Sequence, residues 1–190
     1  MIIHKSQKGF TLTELLVVMT IFAILAALLM VTFQGATRKA RDTKRKSDLK
    51  QVQAALEKYF QNTGHYPIND DPGLLDGPVM KCEDSTVITW GSPWSCNDVS
   101  YGSSVVYMQV APQDSRTWDD GGRTLGYFYF PWTNDDPPGG NFTTVLNPQG
   151  YRLISCLENS ADPEVGTFTS PAWSCPAERN NPYVLYPGNI

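Results

Sequence analysis

The sequence predicts an α+β protein: a long N-terminal α-helix whose first half crosses a membrane and whose C-terminal half packs on a small antiparallel β-sheet head. Three observations predict this. Phe10 to Phe33 is almost wholly apolar apart from the carboxylate of Glu14. Past that run, apolar residues recur at helical spacing as far as Tyr59 and Phe60. The remainder is polar and rich in Pro and Gly, with short β-branched and aromatic runs and all four cysteines.

Residues 10–33 come first because length decides their role. At about 1.5 Å per residue they give a helix of roughly 36 Å, enough to cross a hydrocarbon core of about 30 Å with some tilt. No Pro or Gly interrupts them, which predicts one unbroken helix. An ordinary secretory signal has a shorter apolar core; Ala23 to Ala27 mimic its cleavage region, but the run is too long. A plain signal anchor competes more strongly, yet it leaves Glu14 without a purpose, since an intramembrane carboxylate is costly unless a partner neutralises it. A buried helix of a soluble core fails because the chain is too short to surround it.

Residues 34–62 continue the helix with a different surface. Asp42 lies four residues from both Arg38 and Lys46, and Lys44 four from Asp48, a spacing that predicts ion pairs on a solvated helix. Leu49, Val52, Leu56 and Tyr59, with Phe60 beside them, form one apolar stripe made to lie on a folded domain. Gly64 followed by Pro67 stops the helix. The whole is one helix of about 50 residues, near 80 Å.

The stretch Gly9-Phe10-Thr11-Leu12-Thr13-Glu14-Leu15 resembles the processing site of type IV pilins and of the pseudopilins of type II secretion systems. The resemblance implies that residues 1–9 are a leader cut after Gly9 by a prepilin peptidase, that the new N-terminal residue Phe10 is N-methylated by the same enzyme, and that Glu14 serves filament assembly. Its physics is coherent. Cleavage creates a cation at Phe10, and a carboxylate four residues along can neutralise that cation on a neighbouring subunit in low dielectric. Thr13 and Val31 depart from the family, many members of which carry Ile or Leu at the first position and a Pro at the second. Asp42 to Pro67, with its Gly64-His65-Tyr66-Pro67 turn leading into a head, is again similar to these proteins.

Charge is uneven along the chain. Residues 34–62 hold eight Lys/Arg against three Asp/Glu, net +5, and residues 63–190 hold five against fifteen, net −10. Basic residues just after a span ordinarily mark the cytoplasmic side, and the leader offers only Lys5, Lys8 and the amino terminus against them. Two considerations outweigh that count: cysteines confined to the acidic head suit an oxidising compartment, and the leader resemblance implies cytoplasmic processing. The expected topology is a single pass through the inner membrane with residues 63–190 as an extracytoplasmic head. The basic helix then faces anionic lipid headgroups or acidic faces of neighbouring subunits. Nucleic-acid binding is not predicted, because a solvated helix face accounts for the charge.

The head has the size of one domain. Leu125 to Phe130 and Tyr151 to Leu157 are its clearest strands, with weaker ones at Val105 to Val110, Phe142 to Leu146 and Tyr183 to Tyr186. Turn-rich pieces at Asp119 to Gly122 and Asn134 to Gly140 connect them. Four cysteines allow three pairings, among which the sequence does not choose. The expected pairs are Cys82 with Cys96 and Cys156 with Cys175, each closing a local loop that contains Pro; the second is similar to the C-terminal disulfide region of pilins. Zinc is not expected, since no Cys-x-x-Cys pair or nearby histidine supports it. Asp119 with Asp120, and Asp135 with Asp136, lack the regular spacing of a calcium loop and read as solvated turns. Trp90, Trp94, Trp118, Trp132 and Trp173 are read as core packing before any sugar-binding or adhesive surface.

No nucleophile elbow, phosphate loop or zinc-helix motif occurs, and His65 in its turn is the one histidine outside the leader, so no enzyme and no cofactor are expected. The resemblance implies a structural prepilin or pseudopilin assembled with copies of itself, on an inner-membrane assembly platform, into a helical filament in the periplasm or at the cell surface. The alternative is a membrane-tethered minor pilin or binding module that contacts substrate, surface or DNA.

Overall fold

The computed structural model describes residues 9–69, 80–97, 103–116, 118–119, 124–132, 147–166, 175–176 and 179–187, with the backbone alone at 29–32, 34, 118, 119, 124 and 125. One helix, α1 (Leu12–Thr63), is followed by short antiparallel strands. Two compact units divide the chain, Met1–Lys39 and Ala40–Ile190.

In the first unit the described apolar side chains point outward, from Phe10 at 90% exposure to Val18 at 47%. Among the described residues no helix is long and apolar enough to cross a membrane. The described side chains of the run are interrupted at positions 29–32, where the backbone alone is described, and Phe33 beyond them is again exposed.

In the second unit the predicted stripe is the spine of the core. Leu49, Val52 and Leu56 are wholly buried and Tyr59 nearly so, with Phe60 packed at the edge. They meet a sheet of order β10-β9-β8, built from β8 (Tyr127–Trp132), β9 (Gly150–Leu157) and β10 (Asn181–Leu185). Side chains alternate across a strand, so register puts Tyr127, Ser155 and Tyr183 in one inward row and Tyr129, Leu153 and Leu185 in the next. Phe128 and Ile154 face the other way, where they cluster with Cys156 and Cys175. Covered on both faces, the central strand reads as a nearly continuous apolar run. Pro131 and Pro182 sit on the two outer strands, where a missing N–H is tolerated.

Among the described residues three smaller sheets accompany that sheet: β1 (Ile68–Asn69), β2 (Met80–Lys81) and β3 (Val87–Ile88); β4 (Trp94–Asn97) with β5 (Ser104–Met108); and β6 (Trp118–Asp119) with β7 (Thr124–Leu125). The expected strand 125–130 is thus divided at Gly126, Leu125 pairing in β7 and Tyr127 to Phe130 belonging to β8. The expected strand at Phe142 to Leu146 and the turn at Asn134 to Gly140 lie outside the described residues. Trp94, in a strand too short to show a period, is wholly buried, and Trp90 packs edge-on against Tyr127 of the same core. Trp132 instead lies near the Arg152 guanidinium, 5.6 Å from its ring centroid, over the backbone of Gly150, where any Cβ would collide with the indole.

The helix stops as its sequence predicts. Gly64 takes a left-handed backbone (φ 78°) and donates its N–H to the Phe60 carbonyl at 2.8 Å. Tyrosines then fix the turn: Tyr66 and Tyr151 both donate to the Glu57 carboxylate, and Tyr129 donates to the Pro67 carbonyl at 2.7 Å. His65 keeps a local role, its Nδ1 2.9 Å from the Tyr66 carbonyl.

Trp94→Ala should destabilise the head by about 3–5 kcal/mol, as truncation of a fully packed aromatic does. Val87→Ala, at a side chain 48% exposed, should stay within about 0.5 kcal/mol. Urea unfolding of the detergent-solubilised chain, followed by tryptophan emission for Val87→Ala and by circular dichroism for both, checks the contrast.

Candidate functional site

Two constellations stand out, one in each unit. At the start of α1, Thr11 and Glu14 form a capping box. The Thr11 N–H and hydroxyl both donate to Glu14 Oε2 at 2.8 Å, and the Glu14 N–H returns to Thr11 Oγ1 at 3.3 Å. The Thr13 hydroxyl lies 3.1 Å from that of Thr11. These reciprocal bonds satisfy amides that a helix start leaves open. They also give Glu14 a partner inside its own chain, which the sequence signal Thr-x-x-Glu carries but a search for charged partners overlooks. Glu14 lines a shallow open groove with Phe10, Thr13, Val17 and Val18. Gly9 and Phe10 precede the helix and are exposed.

The second constellation is a buried ionic cluster centred on Arg45, itself 1% exposed. Its Nε and Nη2 donate to Asp114 at 2.9 and 3.1 Å, its Nη1 to Asp42 Oδ1 at 2.7 Å, and its Nη2 also to Glu158 Oε1 at 3.0 Å. Arg41 forks onto Glu158 at 2.9 and 2.6 Å, and Arg179 reaches Asp114 at 3.3 Å. Asp42 accepts the backbone N–H groups of Glu158 and Asn159, at 3.0 and 2.9 Å, and so fastens the end of β9 to α1.

The expected i,i+4 pairing of Asp42 is corrected here. Asp42 turns to Arg45 and to the end of β9, while Lys46 bonds Asp162 and Glu164, each at 2.5 Å. Asp42 faces into the head, where the desolvated partners are, and a surface pair is worth too little to hold it outward. The Lys44–Asp48 pair forms at 2.6 Å, and Asp48 also receives the Tyr127 hydroxyl at 2.7 Å. Much of the basic charge of the helix is therefore met by acids of the same head, a use that composition did not reveal.

The electrostatics follow from this packing. Burial opposes the charge of Arg45, but hydrogen bonds and attraction from Asp114, Glu158 and Asp42 outweigh it and raise its pKa. The Arg41 hydrogen bonds hold the Glu158 carboxyl far below its usual range, to about 2, with Arg45 adding to the shift and burial opposing it. Arg179 is lowered, by burial first and then by the charge of Arg45. Asp114 lies closer to Arg45 than to Arg179, which fits the opposite directions of the two arginines.

The four cysteines form two disulfides, Cys82–Cys96 and Cys156–Cys175, with Cα–Cα separations of 5.8 and 5.7 Å. Among the described residues no group of His, Cys, Asp or Glu could hold a metal ion. Asp120, Asp135, Asp136 and Trp173 lie outside the described residues, as do the side chains of Trp118 and Asp119.

Comparison with known proteins reaches both units. The family described as a prokaryotic N-terminal methylation motif matches residues 4–30. The chain is 34% identical over 163 residues to the type II secretion system core protein G of Escherichia coli K12, across 85% of this chain and 86% of that protein. It belongs to the type II secretion core protein G family. The Aeromonas hydrophila member is 27% identical over 163 residues, covering 86% of this chain and 89% of that one. The type IV major pilin protein PilE1 of Neisseria gonorrhoeae is 35% identical over 68 residues, 36% of this chain and 32% of its own. No solved structure matches. The long helix and the small antiparallel sheets of this core protein G relative make an α+β, pilin-like fold.

Two outcomes are expected of the cluster. Arg45→Met leaves buried carboxylates without their cation and should cost about 3–5 kcal/mol of head stability, read from the denaturation midpoint. Glu158 has a depressed folded-state pKa, so its contribution is present above the ordinary value of 4.5 and is lost as pH falls through that value toward about 2. Glu158→Gln should therefore be less stable than the parent near neutral pH, and the two should converge across that acidic window.

Proposed function

We propose that the chain is the precursor of a structural filament subunit, a major pseudopilin of a type II secretion system. A prepilin peptidase removes residues 1–9 after Gly9 and N-methylates Phe10. The similarity to core protein G over most of the chain, together with the methylation motif at residues 4–30, carries this reading. The pilin likeness spans a much shorter stretch, which favours the secretion filament over a pilus. A minor pilin or tethered binding module is the less supported alternative, because the long match is to a core subunit.

Residues 10–33 span the inner membrane once, with the head outside the cytoplasm, and later form the filament core among copies of the same chain, on an inner-membrane assembly platform. An apolar helix surface exposed all round needs lipid or protein against it in either state. The cations that follow the span have acidic partners in the head, which gives them a reason to be there other than a cytoplasmic location. The four cysteines, all disulfide-bonded, suit the same side.

Glu14 connects the two states. In the free subunit Oε2 takes the bonds from Thr11, and among the described residues Oε1 takes none. That oxygen can receive the Phe10 amine of an adjacent subunit without breaking the cap. The contact is head-to-tail and non-closing, so its repetition yields filaments and not rings.

Mass spectrometry of the membrane-extracted chain tests processing: a mature N-terminus at methylated Phe10 is expected, and Gly9→Leu should accumulate uncut. A chain retaining Met1 to Gly9, or beginning within Ala23 to Ala27, would overturn the reading. Glu14→Leu, expressed alone, should be cleaved, stay in the membrane and be missing from sheared filaments. Normal filament yield from it would remove the pairing role, and partial recovery on co-expression with the parent chain would support contact between different subunits.

A further inference from the structure

Cys82 follows strand β2 and Cys96 lies within β4, at a sequence separation of 14. Register pairs Met80 with Ile88 and Lys81 with Val87, so Cys82 stands opposite Thr86 across a three-residue loop. The Cys82 N–H donates to the Thr86 carbonyl and the Ser85 N–H to the Cys82 carbonyl, both at 3.0 Å, and Ser85 takes the left-handed backbone (φ 66°) that closes such loops. The Glu83 N–H donates to the Tyr59 hydroxyl at 3.1 Å, which seats the loop on the core stripe of α1. At the centre of the loop, Asp84 Oδ1 accepts the Thr86 N–H at 3.0 Å and Oδ2 the Thr86 hydroxyl at 2.6 Å. Oδ2 also accepts the Asn97 N–H at 3.0 Å. One carboxylate therefore joins a position two residues from Cys82 to the position beside Cys96. Burial opposes the charge of Asp84, but the Thr86 and Asn97 bonds outweigh it and hold the carboxyl below its ordinary value of 3.8, so the clamp is ionised at neutral pH.

We infer that Asp84 is the positioning residue that directs Cys82 to Cys96, among the three pairings open to four cysteines, by holding the two stretches of chain together before their sulfurs are joined. Closing the bridge through the chain alone means closing a loop of 14 residues. Through the clamp the path runs Cys82-Glu83-Asp84, across the hydrogen bond, and Asn97-Cys96. A shorter path costs less entropy to close and raises the local concentration of the right thiol over the wrong ones.

The clamp acts on one step of a dithiol oxidation by a disulfide oxidant. A cysteine thiolate first attacks a sulfur of the oxidant, forming a mixed disulfide and releasing one oxidant thiolate. The partner is chosen in the second step, when another thiolate of the chain attacks this chain's sulfur in the mixed disulfide and releases the second oxidant thiolate. Two protons leave the cysteines, and two electrons remain on the oxidant, which departs as thiols. Cys156 and Cys175 belong to the outer cluster, and among the described residues Asp84 bonds Thr86 and Asn97 alone. That second pair is an internal control.

Oxidative refolding of the reduced, detergent-solubilised full chain with glutathione disulfide, quenched by alkylation and mapped by mass spectrometry under non-reducing conditions, tests the assignment. The readout is the partner that Cys82 takes in the first bridges formed, Cys96 against Cys156 or Cys175. Asp84→Ala should lower that ratio by at least about fivefold, the scale of losing hydrogen bonds to a charged group, while Cys156–Cys175 closes at the parent rate. Asp84→Asn, which keeps one acceptor oxygen without the charge, should fall between the two. An unchanged ratio in Asp84→Ala would overturn the inference. So would equal slowing of both bridges in the two variants, because Asp84 would then serve folding at large and not the choice of partner. The readout needs no filament, so it stands apart from the test of assembly.

Discussion

The head depends on one stripe of one helix. Leu49, Val52, Leu56 and Tyr59 supply the surface against which β8, β9 and β10 bury Tyr127, Tyr129, Tyr151, Leu153 and Leu185. Three short strands cannot cover their own inward face, and a small domain has little other apolar area to offer. Each of these side chains contributes roughly 1.5–3 kcal/mol when fully buried, so the helix cannot be withdrawn without dissolving the core. The tyrosines add direction to that attraction. Their hydroxyls reach Glu57, Asp48 and the Pro67 carbonyl, which fixes where along the helix the sheet can sit.

The features legible in the sequence are those whose cause is local. A stripe at spacings of three and four, a Gly-Pro stop, the Lys44–Asp48 pair and the long strand at Tyr151 to Leu157 each need only neighbouring residues to be recognised. The cluster around Arg45 needs Asp114, 69 residues away, and the Asp42 contact with Glu158 spans 116. The helical spacing rule offers Asp42 the cations at Arg38 and Lys46, because it counts neighbours on one helix and is silent about which face the fold buries. Strands of two residues, such as β2 and β3, are too short for alternation to show and exist by pairing alone. The capping box at Thr11 and Glu14 was readable, but a carboxylate in an apolar run draws attention to distant partners ahead of the amide three residues away.

The use of buried charge where α1 joins the head calls for a physical reason, since a well-packed apolar contact of the same volume is often at least as stable as a buried ion pair. The reason lies in what precedes it. If residues 10–33 occupy the membrane, the helix beyond must stop being apolar, or the span would lengthen and shift in depth. Arg41, Asp42, Arg45 and Lys46 satisfy that demand on the bilayer side, and the same residues must then be packed by the head on the other. Ionic packing meets both conditions, provided every charge has a partner. The forked Arg41–Glu158 pair, the four contacts of Arg45 and the two carboxylates on Lys46 meet that proviso. With residues 10–33 in the membrane, an apolar redesign of residues 41–46 would leave only Arg38, Lys39 and Asp48 charged between the span and the apolar core stripe that begins at Leu49, and the boundary would be less sharply set.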